Sequence, residues 1–171
     1  MNQPSFTTER LRLRPRTLDD LDALCAMDAD PEVMRHIMGG SLPEPISHRA
    51  KLVERIAHDF GDGLGIWTAE PRDAPGRFLG WAALHPLPGW EPEVEIGWRF
   101  ARVAWGHGYA TEAAHALMDQ GFATLGLPRI VAVLDPANAR SRRVCEKLGM
   151  EERGTRHAYG AENALYVRER G

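Results

Sequence analysis

Two glycines stand just before a predicted helix, in the stretch WGHGYATEA at residues 105–113. Glycine lets the main chain approach a ligand closely, and the free N–H groups and positive dipole end of a helix N-terminus attract anions. Gly106 and Gly108 are therefore candidates for a phosphate-binding loop, and the alternative is that they only form a tight turn. The stretch is not a P-loop, since no Gly-Lys-Ser/Thr follows, and Thr111 occupies the third glycine position of a dinucleotide fingerprint.

Three glutamates follow one another at alternate positions shortly before these glycines, in EPEVEIGWRF. A carboxylate can remove a proton from an attacking amine, and Glu91, Glu93 and Glu95 together could attract a cationic amine. The alternative is that they are solvated residues of a strand, where charged side chains are common. The residues alone favour this second interpretation.

Cysteines and histidines give no sign of a metal or disulfide site. Cys25 and Cys145 are far apart and outside any metal-ligand spacing, so both are predicted to be free thiols. Seven histidines occur without the spacings H-x-x-x-H or H-E-x-x-H, and we interpret them as scattered surface or packing residues: His36, His48, His58, His85, His107, His115 and His157. No metal is expected.

The elements that position these residues can be predicted from hydrophobic periodicity and capping signals. Strands are predicted at 10–16, 65–70, 77–85, 93–100, 129–134 and 163–170. Helices are predicted from Leu21, from Pro31, across 52–60 with Gly61 as the stop, across 110–125 with Gly126 as the stop, and after Asn138 with Gly149 as the stop. This order of elements predicts a three-layer α/β domain around a central, mostly antiparallel sheet.

Length and charge limit the remaining possibilities. A chain of 171 residues without repeats or linkers fits a single domain, 1–171. The net charge of -3 gives no electrostatic reason to expect a nucleic acid or an anionic membrane as partner. No apolar stretch is long enough to span a membrane, and no signal peptide is evident, so we expect a cytoplasmic protein.

The chain resembles the GNAT superfamily of N-acetyltransferases, in the branch related to the ribosomal-protein-alanine N-acetyltransferases. The similarity covers nearly the whole chain and is carried by six stretches: TERLRLRPRTLDDLDAL, DPEVMRHI, FLGWAALHP, EIGWRF, WGHGYATEA and DPANARSRRVCEKLGM. The pyrophosphate loop of the superfamily, Gln/Arg-x-x-Gly-x-Gly/Ala, falls on residues 105–110. Trp105 departs from Gln/Arg at the first position, which matters little if the loop binds through its main-chain N–H groups.

This resemblance implies that acetyl-CoA is the co-substrate and that its acetyl group moves directly to an amine, without a metal or a covalent intermediate. It implies a central sheet with helices on both faces, splayed between the strands EVEIGWRF and RIVAVL to admit the pantetheine arm. The residues expected at the cofactor are Ile96, Trp98, Trp105, Gly106, His107, Gly108, Tyr109, Ala110, Thr111, Asn138 and Ser141.

The resemblance also implies catalytic roles. Glu95 matches the glutamate of the EIG strand and would act as general base, directly or through a water, while a main-chain N–H of the same strand would stabilise the oxyanion. Many relatives have a tyrosine at the position of Cys145, so Ser141 becomes the candidate proton donor to the thiolate, with Cys145 or water as alternatives. Ser141 could instead be a capping hydroxyl, and Cys145 is predicted to be a packed apolar thiol.

The acceptor is left open by the sequence. A protein or peptide N-terminus fits the branch, a small amine is the alternative, and a non-catalytic acyl-CoA-binding module or a homodimer is also compatible with the motifs. The loops at 38–47 and 156–163 are predicted to flank the acceptor site.

Overall fold

Eight strands form one sheet in the computed structural model, which describes residues 3–171. In chain order the strands are β1 (Phe6–Thr7), β2 (Leu11–Pro15), β3 (Gly65–Pro71), β4 (Gly80–Pro86), β5 (Val94–Phe100), β6 (Arg129–Leu134), β7 (Glu151–Ala158) and β8 (Ala161–Glu169). Their spatial order is β1-β2-β3-β4-β5-β6-β8-β7, and every neighbouring pair is antiparallel except β5 with β6. The predicted mixed, mostly antiparallel sheet is confirmed.

Five α-helices within residues 3–171 cover the sheet: α1 (Leu21–Asp28), α2 (Pro31–Met34), α3 (Pro45–Ala57), α4 (Tyr109–Asp119) and α5 (Ala139–Lys147). One face of the sheet packs against α4 around a core that includes Leu11, Leu13, Ile96 and Leu117. The other face lies under α1 and α3, which bury Leu24 and Leu52 in a smaller apolar cluster. These three layers are the architecture expected from the order of elements.

The chain positions α4 through a connection that also joins the parallel strands. Strand β5 leads through a 3₁₀ turn at Arg102–Ala104 and the glycine loop into α4, and α4 returns to β6. A parallel pair requires such a crossover, because a tight turn cannot join strands that run in the same direction. The glycine loop therefore lies at the end of the sheet where β5 ends.

Several predicted boundaries differ from the structure. Helix α3 ends at Ala57 and does not reach residue 60, strand β4 begins at Gly80 and not at residue 77, and α4 passes at Gln120 into a π-helical turn that ends at Thr124. Gly121 in that turn has a packing reason, since an added Cβ would lie 2.7 Å from Ile130 Cδ1. Strand β7 was not predicted, because its exposed sequence EERGTRHA has no apolar alternation.

No helix within residues 3–171 is both long enough and apolar enough to cross a membrane.

Candidate active site

The sheet opens between its two parallel strands. Strand β4 pairs with β5 over seven positions, whereas β5 pairs with β6 only where Glu95 faces Val131. Beyond this point the main chain of residues 96–98 keeps β4 as its partner on one side and has no paired strand on the other. The opening lies where the splay was expected, and it leaves main-chain groups for a ligand.

Both glycines of the loop adopt left-handed backbone angles, with φ of 80° at Gly106 and 79° at Gly108. Gly108 is the N-cap of α4, and residues Ala110 and Thr111 form the first turn behind it. A Cβ would meet nothing within 4 Å at Gly106 and only Arg10 Nη2, at 3.5 Å, at Gly108. Backbone conformation therefore requires glycine here, and the surface above the loop is open to an anion.

Arg10, in the segment before β2, fixes the shape of this loop. Its Nη1 donates to the His107 carbonyl at 2.7 Å, its Nε donates to Glu112 at 2.7 Å, and its guanidinium lies 5.0 Å from the centre of the Tyr109 ring. Glu112 also accepts from the Thr8 hydroxyl at 2.6 Å. The rings of His107 and Tyr109 stack with their centres 5.4 Å apart. No local pattern indicates that Arg10 contacts the loop, because Arg10 is 97 residues away from His107 in the chain.

Trp105 anchors the N-terminal end of the glycine loop. Its indole N–H donates to the Phe100 carbonyl at 2.8 Å, and the guanidinium of Arg140 in α5 lies 4.1 Å from its ring centre. The side chain at the first position of the motif is thus occupied in packing. Any phosphate contact made by this loop would come from its main-chain N–H groups, as expected for a tryptophan at this position.

Helix α5 begins with a side-chain cap. Asn138 accepts the main-chain N–H of Ser141 at 3.1 Å, so Asn138 is the cap and the Ser141 hydroxyl takes no part in it. Ser141 is half-buried in the first turn. Cys145 is fully buried, and burial raises the pKa of its thiol to about 12, which agrees with the predicted packed thiol.

Glu95 is buried at the point where β5 and β6 diverge. Its carboxylate accepts the hydroxyl of Tyr159 and the main-chain N–H of Val133, and it is 6% exposed. Burial raises its pKa to about 7, although the two hydrogen bonds and the positive charge of Arg55 oppose the shift. A carboxyl group in this state can exchange a proton near neutral pH.

The neighbours of Glu95 along β5 have different surroundings. Ile96 is 1% exposed and Trp98 is half-buried, and both side chains pack on the opposite, core face of the sheet. For these two residues only the main chain faces the opening. Glu93 is paired with Arg129 and with Arg156, the latter at 2.6 Å, so its charge is neutralised. Glu95 alone of the three glutamates is buried without a salt bridge.

His85, one of the seven histidines interpreted as surface or packing residues, is buried and lies directly opposite Glu95 on β4. It is 4% exposed, its Nδ1 lies 2.9 Å from the Pro86 carbonyl, and its Nε2 lies 3.5 Å from Arg55 Nη2. Burial lowers the pKa of His85, and the charge of Arg55 lowers it further. The ring is therefore neutral near pH 7, with Nδ1–H donating to the carbonyl and Nε2 facing Arg55.

A cavity of about 530 Å³ adjoins Tyr159 and His85. Its walls come from the end of α3, the segment after it, the end of β4, the loop at 86–91 and the turn between β7 and β8. The lining residues are Lys51, Glu54, Arg55, His58, Asp59, Phe60, His85, Pro86, Pro88, Glu91 and Tyr159. Of the two predicted flanking loops, the one at 156–163 contributes Tyr159, whereas the one at 38–47 contributes none of the lining residues.

Tyr159 was not predicted as a site residue. It has a φ of 54° and is followed by Gly160 at 78°, so two left-handed residues form the tight turn between β7 and β8. This turn brings the phenol to Glu95, 64 residues earlier in the chain. A bulky residue before glycine in a hairpin turn is the signal that could have singled it out.

The arrangement combines an open anion-binding loop, a gap between two strands and a buried carboxyl group beside a cavity. It suits transfer of a group from a ligand held in the gap to a nucleophile that enters through the cavity. A carboxyl with a pKa near 7 can take a proton from that nucleophile.

Comparison with known proteins agrees with this arrangement. The family model of the acetyltransferase (GNAT) domain matches residues 10–151. Three relatives from Bacillus subtilis are similar to the chain. The uncharacterized protein YkkB is 35% identical over 96% of this chain and 95% of its own length. The uncharacterized N-acetyltransferase YoaA is 31% identical over 94% of this chain and 90% of its own length. YdaF, whose name gives ribosomal N-acetyltransferase as a provisional assignment, is 33% identical over 71% and 62%.

A solved structure has the same architecture. The acetyltransferase from Agrobacterium tumefaciens superimposes with a TM-score of 0.85, at 28% identity, over 99% of this chain and 96% of that one. The fold, the family match and the relatives lead to one conclusion: the chain belongs to the GNAT family and is an N-acetyltransferase that uses acetyl-CoA.

Proposed function

We propose that this protein transfers the acetyl group of acetyl-CoA directly to a primary amine, with Glu95 as the general base. The observation that carries the proposal is the burial of Glu95 where β5 and β6 part, with a pKa raised to about 7. A base is most effective when its pKa lies near the working pH, because it is then both deprotonated and able to hold a proton.

The gap and the loop fit the parts of acetyl-CoA. The main-chain N–H groups of residues 106–111 would bind the pyrophosphate at the N-terminus of α4, since both glycines leave the surface open. The unpaired edge of β5 at residues 96–98 would bind the pantetheine arm, and an N–H of this edge would donate to the oxyanion. Acetyl-CoA supplies the activated acyl group, whose C–S bond breaks after the new C–N bond has formed.

Proton transfer completes the reaction. Glu95 removes a proton from the amine, directly or through a water, and the Tyr159 hydroxyl holds the carboxylate in place. The departing thiolate needs a proton, and Ser141 is the proposed donor because its hydroxyl is free of the helix cap formed by Asn138. Cys145 suits this role less, because it is fully buried.

The acceptor amine would enter through the cavity beside Tyr159. A protein or peptide N-terminus is supported by the name of the relative YdaF. A small amine is supported by the cavity volume of about 530 Å³, which suits a small molecule.

The test measures thiol release from acetyl-CoA with a panel of peptides and small amines, beside calorimetric binding of acetyl-CoA alone. Acceptor-dependent release supports the proposed transfer to a primary amine, and binding without release for every acceptor contradicts it. A Glu95→Gln variant should abolish most of the release. Glu91→Gln is the matched control, because Glu91 lines the same cavity from an exposed loop.

A further inference from the structure

The imidazole of His85 takes no part in the reaction described so far, although it lies beside the base. His85 and Glu95 are direct partners across β4 and β5, so their side chains leave the sheet on the same face. The Cβ atoms of such a pair are about 5 Å apart, and an atom between the ends of the two side chains can contact both. His85 lines the cavity, and Glu95 is linked to it through the hydroxyl of Tyr159, another lining residue.

The surroundings of the ring determine which of its nitrogens can accept a hydrogen bond. Nδ1 of His85 lies 2.9 Å from the carbonyl oxygen of Pro86, and a carbonyl can only accept, so Nδ1 carries the proton. Because burial lowers the pKa of His85, the ring is neutral near pH 7 and has a single N–H. Nε2 therefore holds a lone pair. The ring of Phe60, whose centre is 5.3 Å away, packs against the imidazole and helps to hold it in place.

The lone pair of Nε2 lacks a well-formed hydrogen bond. Within residues 3–171 its one donor is Nη2 of Arg55, at 3.5 Å, which is the outer limit for a hydrogen bond. Arg55 is an exposed residue of α3, so its long side chain can move away from Nε2 into solvent. His85, in contrast, is only 4% exposed. A buried acceptor of this kind is satisfied at low cost by a donor that enters through the cavity.

A primary amine brings the donor that Nε2 lacks. When its nitrogen attacks the thioester, the lone pair of the nitrogen points at the carbonyl carbon and its two N–H bonds point elsewhere. Glu95 receives one of these two protons. An acceptor for the other N–H fixes the rotation of the amine about its C–N bond, and with it the direction of the attacking lone pair.

We propose that His85 binds the attacking amine, with Nε2 accepting one N–H while the other proton passes to Glu95, and that this contact selects primary amines. The inference rests on the proposed acetyl transfer and specifies which amines take part. A secondary amine has a single N–H, which it gives up to the base, so its second substituent would face Nε2 and leave that acceptor without a donor. No proton moves to His85 at any stage. The hydrogen that it accepts remains on nitrogen as the amide N–H of the product.

The first experiment compares primary amines with their N-methyl counterparts in acetyl transfer. Phenylethylamine is paired with N-methylphenylethylamine, and glycinamide is paired with sarcosinamide. Because a buried acceptor without a donor is costly, kcat/KM of the wild type should be about 10- to 100-fold higher for the primary member of each pair. Equal rates for the two members would overturn the inference and leave the transferase itself intact.

Two substitutions of His85 separate its hydrogen bond from its packing. Asparagine keeps a donor near the Pro86 carbonyl but is too short to place an acceptor at the position of Nε2, whereas the carbonyl oxygen of glutamine can reach it. His85→Asn should lower kcat/KM about 10- to 100-fold for primary amines and much less for N-methyl amines, and His85→Gln should recover most of this loss. His115→Asn is the matched control, because His115 is exposed on α4, which covers the opposite face of the sheet. An equal loss for both members of a pair, or an equal loss in both variants, would contradict the proposed contact.

A binding measurement tests the contact without turnover. Calorimetry in the presence of CoA uses N-acetylphenylethylamine, which has one amide N–H, and its N-methyl derivative, which has none. The wild type should bind the first about tenfold more tightly, and His85→Asn should bind the two alike. Equal binding by the wild type, or no binding of either compound, contradicts the inference, and this comparison within the wild type decides it even if His85→Asn does not fold. If no amine is acetylated but the difference in binding is found, the proposed transferase fails and the contact with His85 stands.

Discussion

Replacing Glu95 with glutamine should change both the rate of transfer and the pH dependence of stability. Glutamine keeps the shape of the side chain but can neither accept a proton nor become charged. Since general-base catalysis contributes about 10²- to 10⁴-fold, kcat should fall by that factor. The affinity for acetyl-CoA should barely change, because the carboxyl group lies on the acceptor side of the gap.

The effect on stability follows from the raised pKa of Glu95. Between its ordinary value of 4.5 and about 7, the folded protein holds a proton on this carboxyl that the unfolded chain has lost. The free energy of unfolding of the wild type therefore falls as pH rises through this window, and the contribution is constant below and above it. A difference of about 2.5 pKa units corresponds to about 3 kcal/mol, as an order of magnitude.

The measurement is urea unfolding of both proteins at pH 5 and pH 8. The variant should gain up to about 3 kcal/mol relative to the wild type between these two pH values. Glu91→Gln should show no such gain, because Glu91 is exposed. A difference between Glu95→Gln and wild type that does not vary with pH would refute the buried, proton-retaining state of Glu95.

The rate measurement needs an acceptor that separates proton removal from ionisation of the amine itself. The wild-type rate should rise with pH through about 7 as Glu95 ionises, and the variant should lose or shift this limb. An amine of low pKa is neutral at the pH of the assay, so Glu95 no longer attracts it as a cation. Removal of a proton from the attacking amine is still required. Retention of a near wild-type kcat by the variant with that amine would assign the base to another group or to solvent.

Three further variants test other parts of the site. Gly108→Val should weaken acetyl-CoA binding, measured by calorimetry, because its side chain would stand between the pyrophosphate and the main-chain N–H groups. Gly154 has a similarly positive φ but lies outside the site, so Gly154→Val is the control and should bind acetyl-CoA normally. Tyr159→Phe removes a hydrogen bond that lowers the pKa of Glu95, so the acidic limb of the pH–rate profile should move to higher pH; a limb that stays in place would contradict this contact. Ser141→Ala should lower kcat by up to about 10²-fold when departure of the thiolate limits the rate, and an unchanged kcat with every acceptor would assign the proton to water or another group.

Features that depend on local sequence could be predicted. The glycines of the loop, the cap at Asn138 and the alternation in EVEIGWRF each reflect the conformation of a few consecutive residues. These signals were enough to locate the loop, the strand of the base and the helix of the proposed acid. The resemblance to a family added the role of Glu95 as general base, which the spacing of the glutamates alone had left open.

Features that depend on register and on distant contacts could not be predicted. His85 faces Glu95 because β4 pairs with β5 in one particular register, and nothing within either strand specifies that register. Arg16 was hidden for a similar reason, because a lone arginine after a strand usually faces solvent. In the structure the guanidinium of Arg16 lies 5.3 Å from the centre of the Trp81 ring, and the residue is only 9% exposed.

The single paired position between β5 and β6 also affects how the folded chain holds together. Strands β1–β5 form one continuous hydrogen-bonded unit, and β6–β8 form another. The single paired position of Glu95 and Val131 is the main-chain bridge between them. Helix α4 packs against β4 and β5 and also contacts α5. Opening this seam breaks few main-chain hydrogen bonds, but it exposes an apolar core that contains residues of both units, such as Ile96 and Ile130. A ligand that lies in the seam binds only its closed form and adds about 2.7 kcal/mol to it at a concentration of one hundred times Kd. Acetyl-CoA would then serve as a structural member of the sheet, adding contacts where a single main-chain bridge joins the two units.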